Sequence, residues 1–189
     1  KDKGRYRILP LGSLANENRW AAFQIESVMG YHPAKIFHYN QVKDKVGWNS
    51  MGVLQMLNVK YVITLEALSH PAFSHIFSGN LFHQRKYQQV NVYQFKHFMP
   101  RVFFVNKLQN ISAIDLQLQT LRKNSFNPLT SSFVEHDQQG FKYSSKAKVE
   151  ISHWTPDKIE FLLDVPSKQF LVISEIFYPE GWQITSHPD

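Results

Sequence analysis

The sequence predicts an α+β protein: an α/β-type N-terminal half, with a mixed sheet and flanking helices, followed by a β-rich, sandwich-like C-terminal half. Three observations carry this expectation. "VKYVITL" (Val59–Leu65) is β-branched and almost wholly apolar, as a strand inside a helix-covered sheet must be. A helical pattern, "SMGVLQMLN", runs directly into it. From Phe133 onward, strand-like runs alternate with short turn segments, as in a sandwich or meandering sheet.

The elements follow in order. "RYRILPL" alternates Arg5, Arg7 and Leu9 against Tyr6 and Ile8, a strand ended by Pro10. "GSLANENRWAAFQIESVMGY" carries mixed signals and reads as a loop or short helix closed by Gly30. Pro33 suits the first helical position, which predicts a helix from Pro33 to about Val42. Asn49 is placed to cap the next helix, whose Met51, Leu54 and Leu57 share a face and whose end Asn58 can close. "PAFSHIF" has the look of a short helix, with Gly79-Asn80 as a turn, and "FHQRKYQQ" and "VNVYQFK" that of a hairpin.

Pro100 marks the predicted boundary, giving an α/β subdomain over 1–98 and a β-rich subdomain over 99–189. Ser112 and Asp115 form a capping-box pattern at the head of a helix near 112–124, with Ile114, Leu118 and Leu121 along one stripe. "SFVEH", "AKVEISHW", "KIEFLLDV" and "FLVISEIF" are the strands of the second half.

Composition narrows the function. A chain of 189 residues can bury a sizeable core, and its many aromatics argue against disorder. No apolar run is long enough to span a bilayer, and the charged start "KDKGRYRILP" does not resemble a signal peptide. Cysteine is absent, which removes disulfides, thiolate catalysis and Cys-based zinc sites. The formal charge of +6 suits an anionic partner, but its cations are scattered and form no recognition helix, so nucleic acid is not expected.

No catalytic motif is present. Phosphate-binding glycine loops and nucleophile elbows are missing, and the histidines lack metal-ligand spacing, so no cofactor or metal is expected. A hydrolase would require His32, His38, His70 and His75 to converge with carboxylates in one pocket. The carboxylates Asp157, Glu160, Glu175 and Glu180 read as structural, and a half-buried Glu175 in an apolar strand would need a partner. The turn Phe177-Tyr178-Pro179-Glu180-Gly181-Trp182 reads first as structure, with Trp182 filling the core. Stacking of Tyr178 and Trp182 on a sugar is the alternative.

Five ordered stretches carry a resemblance: "YRILPLG" (Tyr6–Gly12), "GYHPAKIFHYNQV" (Gly30–Val42), "MLNVKYVI" (Met56–Ile63), "VNVYQFKHFMPRVFFVN" (Val90–Asn106) and "FLVISEIFYPEGW" (Phe170–Trp182). Together they resemble the large extracytoplasmic region of bacterial YfhO-type membrane proteins, which are similar to C-type glycosyltransferases using lipid-linked sugars. The resemblance implies a domain at the extracytoplasmic face of the cytoplasmic membrane, itself non-catalytic, shaping donor or acceptor access. The implied partners are the transmembrane part of the same polypeptide, a polyprenyl-phosphate sugar, a surface-polymer acceptor and the anionic membrane surface. Tyr31, His32, Lys35, Tyr178 and Trp182 are the candidate ligand contacts. No catalytic residue can be carried over, because the family's acidic residues lie on loops between membrane helices. Members of the family continue beyond the Gly-Trp turn, so "QITSHPD" is expected to be a truncated end. A stand-alone carbohydrate- or partner-binding module of the cell envelope is the alternative.

Overall fold

The computed structural model describes residues 4–31, 36–136, 138, 140–176 and 180–185. Its centre is a mixed five-stranded sheet. The first strand, β1 (Arg7–Pro10), has β2 (Glu26–Ser27) on one side and β3 (Val59–Thr64) on the other, both parallel to it. β5 (Lys86–Phe95) pairs antiparallel with β3, and β4 (Phe73–His83) forms the outer edge antiparallel to β5. The order is therefore β2-β1-β3-β5-β4.

Both faces of the sheet are covered, which explains the apolar composition of its middle strands. Leu9, Val59, Val62 and Phe95 pack on one face with Leu54 of α3 (Met51–Met56). Ile8, Ile63 and Val90 pack on the other with Leu14 and Trp20. Leu14 belongs to a 3₁₀ turn, Gly12–Asn16, and Trp20 to α1 (Arg19–Ala22). α2 (Phe37–Gln41) runs on into a wider turn, Val42–Val46, closed where Gly47 N–H reaches the Val42 carbonyl at 3.0 Å. The predicted start of this helix at Pro33 lies outside the described residues.

Three local expectations are corrected. The cap of α3 is Ser50, not Asn49: its Oγ accepts from Val53 N–H and donates to the Leu121 carbonyl at 2.7 Å. "PAFSHIF" is largely strand, and Gly79-Asn80 lies inside β4. The hairpin is one long pair, β4–β5, and it turns at Gln84-Arg85, where φ is +50° and +64°. Two successive left-handed residues are what a two-residue hairpin turn needs, and Asn and Gly are its usual occupants. Gly79 serves packing instead, since a side chain there would meet the Phe77 ring at 2.8 Å.

In the second half, β6 (Val102–Phe104) pairs with β11 (Leu171–Ile173), and β7 (Leu108–Asn110) pairs in parallel with β8 (Ser132–Val134). β9 (Lys148–Trp154) and β10 (Ile159–Asp164) form a hairpin. The chain is thus α+β with a strand-rich second half. Its helix, α4 (Ile114–Leu121), starts without a side-chain cap, so Ser112 does not act as the expected capping box. Leu118 and Leu121 are buried against Val53 and Phe126, whereas Ile114 is largely exposed.

The segment at the predicted boundary ties the halves together. Asn58, at φ +56° the left-handed residue that ends α3, donates to the Met99 carbonyl at 2.6 Å. Among the described residues, no helix is long and apolar enough to cross a membrane.

Candidate functional site: a cleft over a buried ion-pair cluster

The site begins with Arg7. Alternation in "RYRILPL" would place an arginine side chain on an open face, yet β1 is an interior strand and Arg7 is buried. Its guanidinium donates to the Ser174 carbonyl at 2.7 Å, to the Leu57 carbonyl at 3.3 Å and to Glu175 Oε1 at 3.0 Å, with Glu26 Oε2 3.5 Å from Nε. Arg101, at 2 % exposure, completes the cluster. It pairs with Glu26, lies 3.6 Å from Glu175 Oε1 and donates to the Ser174 carbonyl at 3.2 Å. Trp154 covers it, its ring 5.1 Å from the Arg101 guanidinium carbon and 4.8 Å from that of Arg5.

Two guanidinium groups and two carboxylates balance, which is why four charges can share this region. Burial, and then the neighbouring Arg101, draw the Arg7 pKa down, while Glu175 and Glu26 pull it back up. Glu175, just beyond β11, thereby has a cationic partner. The cluster joins β1, β2, the start of β6 and the residues after β11, so its first role is to lock the second half of the chain onto the sheet.

Above it opens a cleft of about 1010 Å³, floored by Arg7, Glu26 and Glu175. Its walls come from the chain between α1 and β2, from Val28 to Tyr31, and from α2 with Lys43. This is at the upper end of the roughly 300–1,000 Å³ typical of small-molecule sites. Gly30, at φ +149°, is required at the wall, because a Cβ would approach Asn18 Oδ1 to 2.9 Å. Asn18 uses that oxygen and its amide to hold the Tyr31 backbone, accepting from N–H at 2.9 Å and donating to the carbonyl at 2.8 Å. The Tyr31 side chain is left exposed at the rim.

The cleft mixes apolar and polar surface. Trp20 Nε1 and Asn40 Oδ1 are buried and have no hydrogen-bond partner among the described residues, although both residues line it. Both atoms are sealed from solvent, so they sit behind the cleft surface and do not themselves face its interior. Tyr39 Oη donates to the Val28 carbonyl at 2.7 Å, and burial pushes its pKa up to about 12.

Tyr39 supplies a pH prediction. Its folded pKa lies above the ordinary 10, so the stability it confers is complete below pH 10 and is lost as pH rises toward 12. The loss should be on the order of 2 kcal/mol. Denaturant unfolding between pH 9 and 12 checks this: Tyr39→Phe should show a shallower alkaline decline than wild type, and parallel curves would contradict it.

Of the five predicted contacts, Tyr31 lies at the cleft. His32, Lys35 and Tyr178 lie outside the described residues. Trp182 is half-buried and is not among the lining residues, and no core cluster of the described residues includes it. Arg7, Trp20, Glu26 and Asn40 were not singled out, since no local motif marks them. The one available signal was Glu175, a carboxylate in an apolar strand that called for a cation.

The other candidates are engaged locally. Asp157 accepts from Thr155 Oγ1, and Glu160 pairs with Lys158. His38 packs against Phe37, His70 against Phe73, and His75 bonds to Ser78. Among the described residues, no three His, Asp or Glu side chains gather as a metal site. Comparison with protein-family models, with curated proteins and with solved structures finds no match to this chain.

Proposed function

We propose that this chain is an extracytoplasmic accessory domain of a polytopic membrane protein resembling the lipid-linked-sugar glycosyltransferases. In this reading its cleft shapes access of a polyprenyl-phosphate sugar or of the acceptor polymer. The supporting observation is convergence. Arg7 from the first resembling stretch, Tyr31 and Tyr39 from the second, and Leu57 from the third all line the cleft, as does Glu175 from the fifth. Arg101 from the fourth pairs with Glu26 in the cleft floor. Stretches far apart in sequence therefore surround one cavity, as residues serving a shared site would.

The surface adds a second support. At the tip of the β4–β5 hairpin, Phe82 and Tyr87 are exposed and stack edge to face at 5.3 Å, beside exposed Arg85 and Lys86. Aromatic rings flanked by cations suit the headgroup region of an anionic bilayer. The stand-alone module shares the cleft but needs no membrane. The parent reading frame separates the two: many flanking hydrophobic helices favour the first reading, none the second.

Calorimetric titration with a short-chain polyprenyl-phosphate sugar tests the role of the cleft. Tyr31→Ala and Lys43→Ala should each weaken binding by about 5- to 30-fold, as loss of one stacking or charged contact does. Unchanged affinity in both removes the cleft from consideration. Loss in Trp182→Ala alone would move the site to the Gly181-Trp182 turn.

A further inference from the structure

A second constellation lies at the carboxyl end of β1. The chain leaves β1 to form β2 on one side and later returns to form β3 on the other, so β1 is the switch point of the parallel part of the sheet. In open sheets of parallel strands, the crevice at the carboxyl ends beside such a switch is where ligands bind. The turn there is Leu11-Gly12-Ser13. Gly12 has φ +59°, and a Cβ built on it would meet no atom of the described residues within 4 Å, so they leave the space beside the turn open.

Ser13 is exposed, and its Oγ lies 2.9 Å from His83 Nε2. His83, the last residue of β4, is 2 % exposed, and its Nδ1 lies 2.7 Å from Glu17 Oε1. That contact is one of proximity: among the described residues Nδ1 makes no aligned hydrogen bond. Arg19 Nε donates to the other carboxylate oxygen at 2.8 Å, and its Nη1 donates to the Phe82 carbonyl at 2.6 Å. This pairing draws the Glu17 pKa below the ordinary carboxylate range and keeps the group ionised.

We propose that Ser13, His83 and Glu17 form a nucleophile, base and orienting carboxylate for acyl transfer from carboxylic esters. The arrangement follows the one such chemistry needs: Ser13 Oγ on Nε2, the Glu17 carboxylate beside Nδ1, and the serine on an exposed turn. As Ser13 Oγ bonds to the ester carbonyl carbon, its proton passes to His83 Nε2. The bond from that carbon to the alcohol oxygen then breaks, and the leaving alcohol takes the proton from Nε2. Water adds to the acyl-serine, giving a proton to Nε2. The carbonyl carbon–Oγ bond breaks, Oγ recovers the proton, and a carboxylic acid is released. Glu17 orients the ring and stabilises the transient imidazolium. The site is independent of the cleft reading, although Glu17 also touches the cleft edge.

The competing description is a structural clamp, in which the same contacts only pin the 3₁₀ turn to the hairpin. An alkyl fluorophosphonate separates them when applied to the folded 189-residue chain and to the chain in urea, with adducts mapped by mass spectrometry. The proposal predicts an adduct on Ser13 in the folded chain alone, none in Ser13→Ala, and p-nitrophenyl acetate turnover that Ser13→Ala abolishes. His83→Gln and Glu17→Gln should slow labelling, the former by about 100-fold or more, as loss of a general base does. Absence of a Ser13 adduct in the folded chain overturns the proposal. So does equal labelling in urea, or a folded His83→Gln variant that labels within about 3-fold of wild type, far short of the effect of a lost base.

Discussion

Replacing Arg101 with alanine is expected to lower the free energy of unfolding by about 3–5 kcal/mol, because it strips a cation from a buried, hydrogen-bonded charge cluster. Glu26 and Glu175 would retain only Arg7, and Trp154 would lose the guanidinium beneath its ring. The Ser174 carbonyl would lose one of its two guanidinium donors. Most of the cost is the loss of the buried Arg101 side chain with its packing and hydrogen bonds, since Glu26 and Glu175 keep 43 % and 24 % of their side chains exposed to water. For a chain of this size the midpoint should fall by roughly 6–20 °C. Arg101→Met restores packing but not charge, so it should recover only a minor share. Arg101→Met with Glu26→Gln should recover more, because one carboxylate leaves with the cation. Urea unfolding of the four proteins measures this, and a loss under about 1 kcal/mol, the range of a surface ion pair, would mean that the cluster behaves as exposed pairs and not as a buried network.

Gly52→Ala should be nearly as damaging, at about 3 kcal/mol, the upper part of the range for overpacking. On helix propensity alone the change should stabilise α3, since alanine is the better helix former. Packing reverses the sign. A Cβ at position 52 would sit 2.3 Å from the Phe126 carbonyl oxygen and 2.5 Å from Phe126 Cδ1. The first of these is backbone and cannot swing aside. Relief requires α3 to move from the segment after α4, and that movement opens the cluster of Val53, Leu118, Leu121 and Phe126. Ser50 would move with it and weaken its bond to the Leu121 carbonyl. A Gly52→Ala variant as stable as wild type would show that α3 and the Phe126 segment do not approach so closely.

What could be read ahead of the structure depended on how local its cause is. β3 was legible because burial on both faces demands an apolar, β-branched run, which Val59–Thr64 supplies. Strands β9 and β10 were legible from their alternation and the Thr155-Pro156-Asp157 separator. The β4–β5 hairpin was misread because its turn residues, Gln84 and Arg85, carry none of the usual Asn or Gly signal. Gly79-Asn80 carried that signal without the turn. Strand pairing in the second half was invisible, since β6 finds β11 across nearly 70 residues of chain and the register depends on that distant partner.

The site divides in the same way. Tyr31 stood out because it precedes the predicted helix start at Pro33, where backbone N–H groups would favour an anion. Arg7 could not, because its meaning comes from Leu57, Ser174 and Glu175, which the fold alone brings to it. Ser13, His83 and Glu17 were equally silent, as a serine and histidine 70 positions apart form no motif.

The indole N–H resonances provide the most direct measurement of the central claim that the cleft is the ligand-binding face. The chain has Trp20 in the cleft wall, its Nε1 without a hydrogen-bond partner among the described residues, Trp154 over Arg101, Trp48 packed against the core and Trp182 near the final turn. Titrating ¹⁵N-labelled protein with a short-chain polyprenyl-phosphate sugar should shift the Trp20 indole signal and the Gly30 and Tyr31 amides, leaving Trp48 and Trp154 in place. Saturating ligand that leaves Trp20, Gly30 and Tyr31 unmoved, or shifts confined to Trp182 or the Phe82–Tyr87 tip, would contradict it.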